Sequence, residues 1–186
     1  MSEKREQIIQ VATDMIRSGG YNAFSFREIA DAIGIKSSSV HHYFRRKEDL
    51  AAAVAERYTD GFFSDLGKSS FAEGDVGAAI DLYASVFIEA FVTSGKACLC
   101  GVLSHESPAI PAPVLERVDS FVERNIEWLV AAFYAGAESV NGNHSRRLAL
   151  LVYTALSGSM AVATLKKSVE PMELVRDQLV QQLSSA

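Results

Sequence analysis

The sequence predicts an all-α protein of about nine helices, with a three-helix helix-turn-helix head at the N-terminus and a larger helical body after it. Two observations carry this. Apolar residues recur at spacings of three and four along most of the 186 residues, and no segment shows the period-two alternation of a half-buried strand. Start and stop signals separate those stretches: Ser25 and Gly34, Asp75 and Gly95, then prolines at 108, 111, 113 and 171. With 48% hydrophobic residues the chain can bury a core, and no repeat or low-complexity segment interrupts it.

Ile8, Ala12, Met15 and Ile16 share one face, and Gly19-Gly20 ends the pattern, which predicts a first helix over roughly residues 3–18. Ser25-Phe26-Arg27-Glu28 reads as a capping box, with Phe24 and Ile29 at the staple positions, so a second helix starts at Phe26. Ile29, Ala30 and Ile33 form its buried stripe, and Gly34 can take the left-handed conformation that closes it. A third helix fits Ser38 to Phe44, with Lys36 or Ser37 near its start. Val40 and Phe44 face inward, opposite Ser38, His41, His42 and Arg45. Leu50, Val54, Tyr58 and Phe62 carry a fourth helix from Lys47 to Leu66, and the loop-like residues 67–75 follow. In the body, Asp75 caps a helix ending near Ser94-Gly95, and a short helix fits residues 97–106. After the prolines, Leu115, Val118, Val122, Ile126, Leu129 and Phe133 mark a long helix. Further helices are predicted over 145–167 and from Pro171 to Leu183. Domains of 1–50 and 51–186 follow.

The net charge of −5 is polarised. Residues 1–47 hold eight Lys/Arg against five Asp/Glu, net +3, which leaves −8 for the rest. Because duplex affinity rests on cations meeting phosphates, a basic end on an acidic body implies that the N-terminal end meets DNA. The opening MSEKREQ is charged, and no apolar run is read as approaching the roughly 20 residues of a membrane span. With Cys98 and Cys100 too few and too close for a disulfide framework, this reads as a cytoplasmic protein without a membrane partner.

Ala30, Gly34 and Val40 have helix-turn-helix separations: a small residue where two helices cross, glycine in the turn, and an apolar residue seating the second helix. The run FSFREIADAIGIKSSSVHHYFRRKEDL resembles the signature of the TetR family of transcriptional regulators, with Ala30, Gly34, Phe44 and the Lys47–Leu50 pair as landmarks. The resemblance implies that Arg27, Ser37, Ser38 and His41 approach base edges, while Ser25, Ser39, Tyr43 and Lys47 hold phosphates, with Lys36 and His42 on the same DNA-binding surface. The chemistry agrees, since arginine can contact guanine in bidentate fashion and a helix N-terminus suits phosphate. His41 stands where the family usually has tyrosine, so base preference there does not carry over. A metal on His41-His42 is disfavoured, because adjacent helical residues do not face each other.

The implied partners are double-stranded operator DNA, a small-molecule effector and a second copy of the chain, with no cofactor. Effector candidates are Tyr83, Phe87, Phe91, Trp128 and Tyr153 as apolar lining, with His105 and Glu106 as polar contacts. Residues 97–106 resemble a GCLxGNLxxE-like stretch of some family members, among them regulators of electrophile-detoxifying enzymes, in which Cys98 is the matching cysteine. On one helix Cys98 and Cys100 point about 200° apart, so shared metal or a mutual disulfide is disfavoured, and inert buried thiols are the alternative to a sensor. The homodimer is expected on the last two helices, where Ala155, Gly158, Ser159 and Ala163 permit close approach beside Leu151, Leu156, Met160, Leu179 and Leu183. The sequence holds no nucleophile elbow, HExxH, phosphate-binding glycine loop or paired carboxylates, which argues against an enzyme. The competing reading is a DNA-binding adaptor whose body binds a protein rather than a metabolite.

Overall fold

The computed structural model describes residues 2–68, 70, 75–134 and 142–184, and among these residues it holds nine α-helices and no strand. Helix α1 (Glu3–Gly19) opens with Glu3 and Glu6 and closes near Arg17, charges that complement the helix dipole. It stops where Gly20 takes φ 83°, a conformation that favours glycine. A single 3₁₀ turn (Tyr21–Ala23) leads to α2 (Phe26–Ile33), α3 (Ser37–Tyr43) and α4 (Lys47–Leu66). Next come α5 (Val76–Ser94), α6 (Leu99–His105), a second 3₁₀ turn (Ser107–Ala109) and α7 (Ala112–Tyr134). The chain continues through α8 (Gly142–Lys166) and α9 (Glu170–Leu183). The Asp75 carboxylate caps α5 by accepting the Ala78 N–H at 2.8 Å, and Gly95 closes that helix in the left-handed region. Most of the loop expected over 67–75 lies outside the described residues.

Two compact units emerge, Met1–Gly61 with Leu99–Phe121, and Phe62–Cys98 with Val122–Ala186. This differs from a division at residue 50, because α6 and part of α7 pack with the head. In that first unit α1 packs on α6, the Tyr21 N–H bonds the Glu106 carboxylate, Arg117 reaches Glu56 at 3.6 Å, and the Tyr58 and Phe121 rings lie 5.9 Å apart. Its interior is closed by Ile8, Ile9, Ile16, Phe24, Ile29, Val40, Leu50, Leu103 and Phe121. Such contacts join residues too far apart in sequence for helical periodicity to register.

The second unit is built on α5, α8 and α9, which pack on one another. Here the expectation of no membrane-length apolar run is corrected: Val76–Ser94 and His144–Lys166 are 19 and 23 residues long, and each contains an 18-residue stretch with mean hydropathy of 1.6 and 1.8, respectively. Within the unit α5 buries Ile80, Tyr83, Ala84, Phe87 and Phe91, so much of its apolar character serves the core. Helix α8 buries Ala149, Val152, Leu156, Met160 and Ala163 on one face, and leaves Leu150, Leu151, Val162 and Leu165 exposed on another.

Candidate nucleic-acid interface and effector site

Helices α2 and α3 hold polar side chains outward from a closed interior. Ser25 precedes α2 in extended backbone, and its Oγ accepts the Glu28 N–H at 3.3 Å. The capping-box reading sends Glu28 back to the Ser25 backbone; in the structure Glu28 Oε2 instead accepts the Ser25 hydroxyl proton, with 2.8 Å between the oxygens. Gly34 closes α2 at φ 68°, ψ 38°, and the Ile35 N–H returns to the Ala30 carbonyl at 3.0 Å. A Cβ there would meet nothing within 4 Å, so the backbone conformation, rather than space, selects glycine.

On α3 only Val40 is buried, and Phe44 follows it into the interior. Lys36, Ser38, His41 and His42 are exposed, while Ser37, Ser39 and Tyr43 are half-buried. Arg27 projects from α2 with 87% of its side chain exposed, 4.0 Å from Asp31 one turn on. The His41 ring stands edge-on to Phe26 at 4.7 Å, and the Tyr43 hydroxyl lies 3.2 Å from Ser2 Oγ. The expected base-reading groups thus share an accessible region of one unit.

Lys47 departs from the simple picture of a free phosphate cation. Its ammonium lies 4.7 Å from the Tyr21 ring centre and 4.6 Å from that of Phe24, and burial lowers its pKa while Glu28 and Glu106 pull it the other way. The adjacent Arg46 is held by Glu48 at 2.7 Å and Asp49 at 3.1 Å, so it is an ion-paired start to α4. Those bonds raise the Arg46 pKa and depress that of Asp49. Arg5, whose guanidinium lies 5.1 Å from the Phe44 ring centre, escaped the sequence reading because only the fold brings it there.

In the second unit the Tyr83 hydroxyl donates to Asn125 Oδ1 at 2.6 Å, and both residues are fully buried. Tyr83 stacks on Trp128 at 5.5 Å and meets Phe87 at 5.3 Å and Phe62 at 6.0 Å. Burial drives the tyrosine pKa well above its ordinary value, with Tyr153 and Cys98 near enough to add to the shift. Tyr83, Phe87, Cys98, Trp128 and Tyr153 therefore gather in one neighbourhood. Phe91 is also buried in this unit. Asn125 went unnoticed because nothing in the pattern of α7 marks a polar residue as buried. A separate surface groove of about 320 Å³, lined by Ser85, Ile88, Glu89, Val92, Thr93 and Arg176, contains none of the expected effector residues.

His105 and Glu106 belong to the first unit. His105 is exposed, with Nδ1 2.7 Å from the Gly101 carbonyl, and the Glu106 carboxylate is engaged by the head. Cys98 precedes α6 instead of lying on it, so the opposed-face geometry with Cys100 does not apply; both cysteines are buried and neither forms a disulfide. Of the expected dimer residues, Leu156, Ser159, Met160, Ala163 and Leu179 point into their own unit. Leu151 and Gly158 are exposed, and Ala155 and Leu183 are half-buried. The reason is periodicity: residues 156, 160 and 163 share the inner face, whereas 151, 158, 162 and 165 share the outer one.

A capped helix, a glycine turn and a second helix presenting exposed polar groups define a helix-turn-helix regulator head. Residues 8–54 match the family model described as bacterial regulatory proteins, tetR family. The chain is similar to the transcriptional regulator AcuR of Cereibacter sphaeroides, 29% identical over 110 residues, 57% of this chain and 50% of AcuR. It is also similar to the HTH-type transcriptional repressor KstR2 of Mycolicibacterium smegmatis, 34% identical over 62 residues, 33% of this chain and 30% of KstR2. The chain thus spans half the length of AcuR and less of KstR2 in these matches. A TetR transcriptional regulator structure from Legionella pneumophila superposes with a TM-score of 0.85 at 29% identity, covering 97% of each chain. Residues 8–54 therefore carry a domain of the tetR family of bacterial regulatory proteins, and the chain as a whole shares its fold with that TetR regulator. Its relatives are transcriptional regulators, not enzymes.

Proposed function

We propose that the protein is a ligand-responsive cytoplasmic repressor that binds an inverted-repeat operator as a homodimer and releases it when a small molecule occupies the body. The observation that carries this reading is the exposed set Arg27, Ser38, His41 and His42, mounted on two short helices whose relative course is set by the Gly34 turn. Short polar side chains let a helix backbone come close to base edges, and Arg27 supplies a bidentate donor for guanine. A symmetric dimer presents two such surfaces, which is why the operator is read as an inverted repeat. The outer face of α8 supports that assembly, since Leu150, Leu151, Val162 and Leu165 form an apolar stripe with Thr154, Gly158 and Ala161 between them.

The effector reading centres on Tyr83, Phe87, Trp128, Tyr153 and Asn125, aromatic walls with a buried polar pair. A noncovalent ligand fits this better than an electrophile, because Cys98 is only 7% exposed and reaction requires an accessible thiolate.

Selection from a random duplex library should return an inverted repeat, bound with steep salt dependence. Arg27→Ala should lose roughly 5–150-fold on that sequence and relax the preference at one base pair per half-site, with His41→Ala acting at a neighbouring one. A library that enriches no sequence, or variants that select the wild-type repeat at wild-type affinity, would overturn the assignment.

A further inference from the structure

Glu106 stands immediately after α6, far along the chain from the reading helices, yet its Oε2 accepts the Tyr21 N–H at 2.7 Å. Three further features converge on that carboxylate. A methyl group added at Gly20 would run into it, so the turn after α1 brings its backbone against Glu106. Gly20 sits at φ 83°, a conformation that keeps the Tyr21 amide free of the helix that precedes it. The charge of Glu106 also reaches Lys47, whose ammonium covers the rings of Tyr21 and Phe24. Tyr21 and Phe24 meet edge to face at 6.1 Å, and Phe24 leads directly into the Ser25 cap of α2.

We propose that Glu106 is a positioning residue for operator reading: its carboxylate fastens the turn between α1 and α2 to the end of α6, and so sets the course of α2 and α3 relative to α6 within this unit. The inference rests on the DNA-binding reading above. A charged acceptor on a backbone N–H is among the stronger hydrogen bonds, and the glycine at position 20 leaves the room that the carboxylate occupies. Releasing it lets the head sample orientations among which operator must select, lowering apparent affinity by the fraction that remains competent. Phosphate attraction alone tolerates such freedom, because it carries no sequence register.

The test compares the full-length wild type, Glu106→Ala and Glu106→Gln on the selected operator and on a scrambled duplex at matched salt, with hydrogen exchange at the Tyr21 amide. Glu106→Ala should bind operator about tenfold more weakly, keep its scrambled-duplex affinity, and lose Tyr21 protection. Glu106→Gln, which retains an acceptor, should restore operator affinity to within about threefold. Parallel loss on both duplexes, an equal loss in Glu106→Gln, or wild-type operator affinity in Glu106→Ala despite an exposed Tyr21 amide would overturn the positioning role. A wild type that discriminates no duplex would overturn the DNA-binding reading itself, a result separable from all three.

Discussion

Replacing Leu165 by aspartate places a charge on the outer stripe of α8 without touching the interior, because that side chain is 84% exposed in the single chain. Fully covering a leucine contributes about 1.5–3 kcal/mol, so hiding this much of Leu165 in a dimer contributes about 2 kcal/mol. Two-fold symmetry counts the residue twice, giving about 4 kcal/mol and roughly a thousandfold weaker dimer. Leu151, at 51% exposure, gives about half that energy, or roughly thirtyfold, when it alone becomes aspartate. Desolvating the new carboxylate adds to both losses. Sedimentation equilibrium over a concentration series reads the dissociation constants directly, and circular dichroism checks that helix content is kept. Inverted-repeat affinity should fall with dimer content. A wild type that stays monomeric throughout, or a Leu165→Asp variant that dimerises like the wild type, would refute the assignment of this face.

Two further outcomes follow from buried and charged pairs. Tyr83→Phe removes the donor to Asn125 inside the second unit and should cost about 1–3 kcal/mol, a fall in melting temperature of roughly 2–4 °C per kcal/mol; unchanged melting would show that the hydrogen bond contributes nothing net. Asp49 is held below its ordinary pKa chiefly by its bond to Arg46, so below the unfolded value of about 4 the unfolded chain binds the proton first, and this contribution is present above that pH and fades as pH falls through the folded value. Asp49→Asn should therefore flatten the acid limb of the stability profile, and an identical limb in both proteins would refute it.

The helices of the head were legible because each carries its own punctuation. Ser25 caps, Gly34 closes, and Val40 with Phe44 seats α3, all through contacts within a few residues. The proposed dimer surface was legible as a helix but not as a face. Small residues at 155, 158, 159 and 163 looked like one interface, whereas the fold turns 159 and 163 inward against its own core. Cys98 was read as helical and lies before α6, an error of two residues that removes the geometry argued for it. Glu106 was read as a ligand contact because it follows a short helix beside a proline, and nothing nearby in sequence discloses that Tyr21 is its partner.

The sequence by itself therefore determined the all-α class, the placement of the nine helices among the described residues, and the glycine-turned pair with its exposed polar residues. These depend on periodicity, capping and turn chemistry that act over less than about two helical turns. Only the tertiary structure decided that α6 belongs with the head, that Lys47 rests on two aromatic rings, that Tyr83 is tied to Asn125, and which side of α8 faces outward. Each of those is a contact between segments distant along the chain, set by how whole helices pack, and the helical repeat of any one segment is the same whichever neighbour it meets.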